Sequence, residues 1–232
     1  MSDFLFPPPP VVAAPVRGGS GHVPIRRIFC VGRNYEAHAR EMGVAVDREA
    51  PFYFTKAAEH CVLSGSTVPY PPGTSNYHYE LEMVVVMGAP AFRVAGDRAL
   101  ESVFGYACGL DMTRRDLQLV AREQRRPWDL GKDVEQSAVL SEIVPATEGG
   151  HPATGHIELR VNGEVKQNAD IAQLIHKVPE VIAHLSSFYH LHPGDLIYTG
   201  TPEGVGPVQP GDVLAGRIDG VGTITLTIGP AE

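Results

Sequence analysis

The chain has 232 residues, of which 43% are hydrophobic and 20% charged, and its formal net charge at pH 7 is -8. A chain of this length buries a sizeable core in one large domain, and the composition is typical of a soluble globular protein. The sequence contains no apolar run of about 18 residues that would cross a bilayer, and the negative charge disfavours nucleic acid as a partner.

The N-terminal segment differs from the rest of the chain. Residues 1–24 are rich in proline, glycine and small residues and have no periodicity, so we expect an extended arm followed by a catalytic domain over residues 25–232. The start lacks a basic region and has a proline run where a signal peptide needs an apolar helix, which predicts a cytoplasmic protein. Cys30, Cys61 and Cys108 form no CxxC pair and predict buried free thiols.

The first elements of the domain lead to a strand that carries two acids. The segment IRRIFCVG predicts a strand, NYEAHAREMG a short helix closed by Gly43, and PFYFTK a second strand. A proline-rich link then leads to ELEMVVVMG, whose apolar run predicts a buried strand. The following strand, FGYACGLDM, ends at Asp111.

A helix is expected next, with Thr113 as its cap and with Leu117, Val120 and Ala121 on its core-facing side at helical spacing. Further on, IELRVNGEVKQ has a central Asn-Gly, the signal for a hairpin with a type I′ turn. The last third of the chain has short strands between Pro-Gly-Asp and glycine turns. These elements predict a strand-rich α+β domain with mostly antiparallel sheets and a few helices.

The later helix is expected to begin at Pro179. Val178, Ile182, Leu185 and Tyr189 follow the spacing of a core-facing stripe.

The two acids of the buried strand lie on one side of it. Because side chains alternate along a strand, Glu80 and Glu82 share the face that continues through Val84 and Val86. The opposite face is also apolar, so the strand is covered, and two such carboxylates repel each other unless a cation neutralises them. Asp111, at the end of another apolar strand, is placed to bring a third carboxylate to the same point.

Three carboxylates predict a site for a hard divalent ion. Oxygen ligands suit magnesium, manganese or calcium, and an open octahedral site leaves positions for water and substrate. Two other interpretations stay open. Glu80 and Glu82 would simply reach water if they stood at an open strand end, as most charged groups do. His78, on the same face as Glu80, would indicate a mixed zinc-type site.

Several separated motifs are similar to those of a known family. IFCVGRNYEAHAREMG, SNYHYELE, GLDMTRRDLQ, RPWDLGK and IYTGTPEGVGPVQPGD occur in this order in the fumarylacetoacetate hydrolase superfamily. The resemblance extends from residue 25 to the C-terminus and is strongest to the bacterial fumarylpyruvate hydrolases and related acylpyruvases. It implies the strand-rich mixed β-sandwich roll of the family's C-terminal domain. It also implies cleavage of a carbon-carbon bond in a β-diketo acid, giving pyruvate and a second carboxylic acid.

The resemblance assigns roles to single residues. The family's metal ligands fall on Glu80, Glu82 and Asp111, the acids that the strand pattern already groups. The implied ion is magnesium or manganese, with calcium as a non-native occupant. The family's catalytic dyad falls on His38 and Glu41, which stand three residues apart and share one side of a helical turn.

The family's remaining site positions are polar groups around the substrate. Lys132 and Gln118 match residues that polarise the substrate, and Thr201 matches a loop threonine that contacts its acid end. Arg33, Lys56 and Arg115 match further substrate-binding motifs. Taken alone, each Lys or Arg is also typical of a solvated surface charge, and His38 of an ordinary helix residue.

The implied mechanism is hydrolytic. The ion stabilises the pyruvate enolate, His38 takes a proton from water while Glu41 orients it, and Lys132 and Gln118 donate to an oxyanion. Residues 33–48, which follow Gly32 and contain Gly43, are expected to close as a lid.

Alternatives to this function stay open. The same ion chemistry supports decarboxylation of oxaloacetate or keto-enol isomerisation, although a water-activating His38–Glu41 pair favours hydrolysis. A non-catalytic metal-dependent binding protein is the alternative from another class. The TGTPEGVG loop does not fit a phosphate-binding motif, which argues against nucleotide binding. The resemblance further implies a homodimer and a place in gentisate-type aromatic degradation.

Overall fold

The computed structural model describes residues 4–43, 45–46 and 48–232. Its strands are β1 (Ala13–Pro15), β2 (His22–Pro24), β3 (Arg27–Gly32), β4 (Phe52–Lys56), β5 (Cys61–Leu63), β6 (Thr67–Tyr70), β7 (Tyr77–Tyr79), β8 (Leu81–Met87), β9 (Val103–Asp111), β10 (Thr113–Arg114), β11 (Ala138–Leu140), β12 (Val144–Pro145), β13 (His156–Val161), β14 (Glu164–Asp170), β15 (Asp195–Tyr198), β16 (Gly206–Pro207), β17 (Val213–Ile218) and β18 (Gly222–Ala231). Its α-helices are α1 (Glu36–Glu41), α2 (Arg115–Glu123), α3 (Asp129–Lys132), α4 (Ala146–Gly149) and α5 (Val178–Ser186). Short 3-10 helices cover Ala58–His60, Gly96–Ser102 and Ile171–Gln173.

Two large sheets form the body of the protein. The first has the strand order β4-β3-β15-β8-β9-β11-β5, with β12 beside β9, and the second has the order β14-β13-β17-β18-β6. Most neighbouring strands are antiparallel, but β15 runs parallel to β3, β11 to β5 and β18 to β6. The predicted strand-rich α+β class with mixed sheets and few helices is confirmed.

Strand β8 lies at the centre of the fold and is covered on both faces. All seven of its residues are buried. Leu81, Met83 and Val85 belong to the core that includes residues of the second sheet, whereas Val84 and Val86 belong to a separate apolar cluster on the other face. The prediction of a covered strand with alternating faces is therefore confirmed, and any acid on it is removed from water.

The predicted hairpin is confirmed as well. Strands β13 and β14 pair antiparallel, and both residues of the connecting turn have positive φ, 52° at Asn162 and 83° at Gly163. A type I′ turn requires positive φ at both central positions, which is why Asn-Gly occurs there.

The N-terminal segment packs on the body through a small hairpin. Strands β1 and β2 pair antiparallel, the Ile143 N–H donates to the Pro15 carbonyl, and the Arg17 N–H donates to the Ile143 carbonyl. Ala14, the middle residue of β1, is fully buried. The arm was expected over residues 1–24, of which 1–3 lie outside the described residues, and the division at residue 25 stays a prediction.

Helix α2 differs from the expectation. Thr113 does not cap it, because its hydroxyl donates to the Asp111 carbonyl instead, and Val120 is 49% exposed. The buried side chains of α2 are Arg115 and Gln118. The helix covers a polar cavity, so the apolar stripe that was expected to face a core faces partly outward.

Helix α5 follows its predicted stripe only in part. Val178, Ile182 and Leu185 are buried, but Tyr189 lies beyond the end of the helix and is 44% exposed. The three cysteines are buried free thiols, as expected. No helix in the described part of the chain combines the length and the apolar character needed to span a membrane.

Gly109, two residues before Asp111 on β9, is a close-packing position. A Cβ there would meet the ring of Tyr198 and would lie 2.5 Å from Val84 Cγ2. We expect Gly109→Ala to lower the free energy of unfolding by about 1 to 3 kcal/mol, since overpacking forces β8, β9 and β15 to shift. Urea unfolding measures this, with Gly96→Ala as the control because no atom lies within 4 Å of that added methyl group. Equal stability of the two variants would contradict the assignment.

Candidate metal site and active-site cavity

Three buried carboxylates meet where β8 and β9 run side by side. Glu80 directly precedes β8, Glu82 is the second residue of β8, and Asp111 is the last residue of β9. The Asp111 N–H donates to the Glu80 carbonyl at 2.9 Å, which holds the two strands in register. Ligand oxygens of the three side chains lie within 4.8 Å of one another. The strand pattern thus brings together the three acids that were predicted as metal ligands.

Cationic side chains surround two of these acids. Lys132 Nζ donates to Glu80 Oε2 at 2.7 Å, to Asp111 Oδ2 at 2.7 Å and to Thr113 Oγ1 at 2.8 Å. Arg115 donates to the other oxygen of Glu80. Burial works to raise the pKa of Glu80, but Lys132 and Arg115 outweigh it and hold that pKa below its usual value.

Lys56 lies behind the acids. Its ammonium donates to the Met112 carbonyl at 3.0 Å, to Ser137 Oγ at 2.7 Å and to the Lys132 carbonyl, and it lies 2.9 Å from Asp111 Oδ1. It does not line the cavity described below. Its position therefore favours holding Asp111, whereas the family motif predicted that it binds substrate.

Glu82 is the acid whose charge is least compensated. Its one hydrogen bond in the described residues comes from the Gly200 N–H, at 2.6 Å to Oε2. Burial raises its pKa well above the usual value, and the neighbouring charges of Asp111 and Glu80 raise it further. Asp111 Oδ1 is buried and accepts no hydrogen bond, although it lies near Lys56. An all-oxygen donor set in which Glu82 has no cationic partner and Asp111 Oδ1 accepts no hydrogen bond fits a hard divalent cation.

His78 does not join this group. Its Nε2 contacts Asn76 Oδ1 at 2.8 Å, and its Nδ1 accepts from Arg115 Nε at 3.4 Å. Among the described residues the acid cluster consists of Glu80, Glu82 and Asp111 alone, which argues against the zinc-type alternative. The burial of all three acids likewise argues against the alternative that they simply reach water.

A cavity opens over the acids. It is lined by Val31, Gly32, Arg33, His38, Met42, Phe54, Glu80, Glu82, Arg115, Gln118, Leu119, Arg122, Trp128, Lys132 and Thr201. Of the predicted catalytic and substrate-binding residues, His38, Lys132, Gln118, Arg33, Arg115 and Thr201 therefore line one space, together with two of the acids. Glu41 reaches it through His38.

The His38–Glu41 pair has the geometry of a base and its orienting acid. His38 Nδ1 lies 3.2 Å from Glu41 Oε2, and the Gly204 N–H donates to Glu41 Oε1 at 3.0 Å. Partial burial works to raise the pKa of Glu41, but these two hydrogen bonds outweigh it and lower that pKa. An ionised carboxylate only accepts, so in the neutral form of the His38 ring Nδ1 is the nitrogen that carries the proton and Nε2 is the acceptor.

Helix α2 presents its polar residues to the cavity at helical spacing. Arg115 and Gln118 stand three residues apart, and the Arg115 guanidinium donates to Gln118 Oε1. Helix α3, which carries Lys132, packs against this face because Gly131 has no side chain. A Cβ at that position would lie 2.8 Å from the Gln118 N atom.

Four further residues take part in the site but were not predicted. Thr113 accepts from Lys132, and Gln167 donates to Thr201 Oγ1 at 2.8 Å while accepting from the Leu81 N–H. The Gly200 N–H reaches Glu82, and Arg122 lines the cavity. Arg122 was detectable in the sequence, because residues 115, 118 and 122 share one helical face.

Residues 33–48, the expected lid, include positions 44 and 47, which lie outside the described residues. The described part is tied to the body: Asn34 Nδ2 donates to the Thr199 carbonyl at 2.8 Å, and Arg122 donates to the Met42 carbonyl at 3.0 Å. Closure on substrate stays a prediction.

The whole fold matches one family. The family model for the fumarylacetoacetate (FAA) hydrolase C-terminal domain matches residues 27–229. The mixed sheets with a buried acid cluster under a polar cavity agree with this match. The chain belongs to the fumarylacetoacetate hydrolase family.

Individual relatives narrow the comparison. A fumarylpyruvate hydrolase of Ralstonia sp. is 58% identical over 193 residues, which cover 82% of this chain and 100% of the relative. The crystal structure of fumarylpyruvate hydrolase from Pseudomonas aeruginosa in complex with Mn²⁺ and pyruvate superposes with a TM-score of 0.95 at 47% identity, over 98% of this chain and 100% of that one. The mitochondrial oxaloacetate tautomerase of Homo sapiens is 39% identical over 207 residues, 89% of this chain and 93% of the relative.

The burial of His78 predicts how the stability of the protein changes with pH. Burial, and after it the positive charge of Arg115, lower the pKa of His78 from its ordinary value to about 4. As pH falls from about 6.5 to 4, the unfolded chain takes up a proton at this position that the folded chain refuses, so folded stability is lost. We expect the wild type to lose about 1 to 2 kcal/mol more than His78→Gln over this range, after solvent screening.

Urea unfolding at pH 7 and pH 4.5 in EDTA measures this difference, with the exposed His22→Gln as the control. Parallel pH profiles of the wild type and His78→Gln would contradict the burial of a neutral imidazole.

Proposed function

We propose that this protein is a metal-dependent hydrolase that cleaves the carbon-carbon bond of a β-diketo acid, with fumarylpyruvate as the substrate and fumarate and pyruvate as the products. The observation that carries the proposal is the position of the His38–Glu41 pair on the same cavity as the acid cluster. Such a pair supplies a water-activating base, which hydrolysis needs. The 58% identical fumarylpyruvate hydrolase supports the choice of substrate.

Glu80, Glu82 and Asp111 would hold the divalent ion. The Mn²⁺ in the related crystal structure supports manganese, and magnesium has the same preference for oxygen ligands. When bound, the ion supplies Lewis-acid stabilisation of the negative charge that develops on the keto-acid end of the substrate. Lys132 and Arg115 keep Glu80 ionised for this role, and the Gly200 N–H orients Glu82.

His38 acts as the general base in this proposal. Its Nε2 faces the substrate water as an acceptor, because Nδ1 donates to Glu41, and the imidazolium that forms is stabilised by that carboxylate. Glu41 is held in turn by the Gly204 N–H of the TGTPEG loop. The loop that carries Thr201 thus also orients the base.

Gln118 is the stronger candidate for donating to the oxyanion. Its Oε1 accepts from Arg115, so its amide NH₂ group is the free end. Lys132 has three N–H donors, and all three are engaged by Glu80, Asp111 and Thr113. Lys132 would have to give up one of these bonds to reach the substrate. Thr201, positioned by Gln167, is assigned to the acid end of the substrate.

The alternative reaction is decarboxylation or isomerisation of oxaloacetate or a related 2-oxo acid. Oxaloacetate tautomerases are relatives, but the human enzyme is 39% identical whereas the Ralstonia sp. fumarylpyruvate hydrolase is 58% identical. A tautomerase needs proton transfer at carbon and has less need of a base directed at water. The His38–Glu41 pair and the closer relative therefore both favour hydrolysis.

The family resemblance extends the proposal further. The extended proposal is that the protein forms a homodimer through its sheet regions, is located in the cytoplasm and takes part in gentisate-type aromatic degradation.

Turnover after metal removal tests the proposal. Protein stripped with EDTA should not hydrolyse fumarylpyruvate, and manganese or magnesium should restore the release of fumarate and pyruvate. The reaction is monitored by the loss of the ultraviolet absorbance of fumarylpyruvate. If the reconstituted protein leaves fumarylpyruvate intact but enolises or decarboxylates oxaloacetate, the hydrolase assignment is wrong.

His38→Ala separates the base from the metal site. We expect kcat for fumarylpyruvate to fall by about 10²- to 10⁴-fold, the usual contribution of general-base catalysis, while manganese affinity stays close to that of the wild type. His22→Ala, on the exposed strand β2, is the matched control and should keep its kcat. Loss of manganese binding in His38→Ala would overturn the division of roles.

A further inference from the structure

Two arginines stand on the wall of the cavity without an acidic partner. Arg33, directly after β3, and Arg122, on α2, both line it together with His38 and the acids Glu80 and Glu82. Among the other charged groups of the cavity, Lys132 and Arg115 pair with Glu80, His38 pairs with Glu41, and Glu82 accepts from the Gly200 N–H. No ion pair in the described part of the chain involves Arg33 or Arg122, so their positive charges face the cavity uncompensated.

Arg33 is held in place without the use of its hydrogen-bond donors. Its guanidinium carbon lies 5.3 Å from the ring centre of Phe52 and 5.5 Å from that of Trp128. Contacts of this kind use the aromatic face and leave the N–H groups of the guanidinium free for a ligand. No described residue accepts a hydrogen bond from these groups.

The backbone at Arg33 supports a role in binding. Its φ is +56°, in the left-handed region that a residue with a side chain rarely adopts. Such conformations cluster at functional sites, where the surroundings compel them. Here the conformation occurs at the point where β3 leaves the sheet and enters the wall of the cavity.

Arg122 keeps most of its donors as well. One of its nitrogens donates to the Met42 carbonyl at 3.0 Å, which ties the side chain to the C-terminal end of α1. A guanidinium has five N–H donors in a planar fork that matches a carboxylate. Burial and the positive charge of Arg122 both lower the pKa of Arg33, so an anion between them would relieve a repulsion.

The space around Arg33 also suits a carbon chain. A recess of about 600 Å³ adjoins the cavity, and Phe29, Phe52, Tyr53 and Trp128 are among the residues that line it. The cavity and the recess share Arg33, Phe54, Trp128 and Lys132. Apolar walls beside free cationic donors suit an unsaturated chain that ends in a carboxylate.

We propose that Arg33 and Arg122 form a subsite for a carboxylate at the far end of the acyl group, so that the preferred substrates are acylpyruvates whose acyl group is itself an acid. The orientation rests on the proposed function, since the keto-acid end must occupy the acid cluster. Acylpyruvates with a neutral acyl group would leave both arginines desolvated and unpaired, which disfavours them.

The test compares two substrates in the metal-loaded enzyme. We expect Arg122→Gln to lower the ratio of kcat/KM for fumarylpyruvate to kcat/KM for acetylpyruvate by roughly 10- to 100-fold, the usual range for a hydrogen bond to a charged group. Arg33→Gln should lower the ratio in the same way. The control is Arg126→Gln, which removes the same charge from an exposed residue outside the cavity and should leave the ratio unchanged.

The comparison of two substrates distinguishes the loss of this subsite from general structural damage. If Arg122→Gln merely displaces α1 through the lost bond to Met42, both substrates lose kcat/KM equally and the ratio stays constant, which would overturn the inference. An unchanged ratio in both arginine variants would do the same.

A direct binding measurement tests the carboxylate subsite independently of the proposed function. Fumarate is titrated into the manganese-loaded wild type and the two arginine variants by calorimetry. Weaker fumarate binding in both variants, with the Arg126→Gln control unchanged, supports the subsite even if the wild type hydrolyses neither substrate, an outcome that would reject only the proposed function. Equal fumarate affinity in all the proteins would reject the subsite.

Discussion

The structure depends on the burial of three carboxylates at one point. Glu80, Glu82 and Asp111 are all removed from water. Like charges at such short distances repel one another strongly in a medium of low polarity. Three cations, Lys56, Lys132 and Arg115, contact Glu80 and Asp111 but not Glu82. The Glu82 carboxylate accepts a hydrogen bond from the Gly200 N–H, and its pKa is raised. A protein that arranges its charges in this way is built to accept one further cation.

The fold supplies these contacts from distant parts of the chain. The paired strands β8 and β9 fix the acids, α2 and α3 bring Arg115 and Lys132 over them, and β4 ends at Lys56 behind them. The TGTPEG loop serves both halves of the site, because the Gly200 N–H binds Glu82 and the Gly204 N–H binds Glu41. The metal site and the base are therefore positioned by the same short segment.

Much of the site could be predicted because strand geometry is simple. Alternation along a strand places Glu80 and Glu82 on one side, and an acid at the end of the neighbouring strand must lie near them. The His38–Glu41 pair and the Asn162–Gly163 turn depend on spacings of a few residues, which are likewise visible in the sequence. The family motifs added the predicted substrate-binding residues, of which Arg33, Arg115 and Thr201 line the cavity and Lys56 does not.

What could not be predicted depends on which way a helix faces and on long-range contacts. Helix α2 was expected to bury Leu117, Val120 and Ala121, but its inner face carries Arg115 and Gln118 because it covers a cavity and not an apolar core. Thr113 and Lys56 have partners far away in the chain, and no local pattern shows that a lysine will lie behind an aspartate.

The most direct test of the account is a calorimetric titration of Mn²⁺ into the EDTA-stripped protein and into Glu82→Gln, with Glu142→Gln, an exposed acid that pairs with Arg17, as the control. The account predicts one ion bound per chain in the wild type and in Glu142→Gln, and an affinity at least tenfold weaker in Glu82→Gln, because a charged ligand has been replaced by a neutral one. Equal Mn²⁺ affinity in Glu82→Gln and the wild type would contradict the claim that the uncompensated Glu82 carboxylate is there to hold the ion.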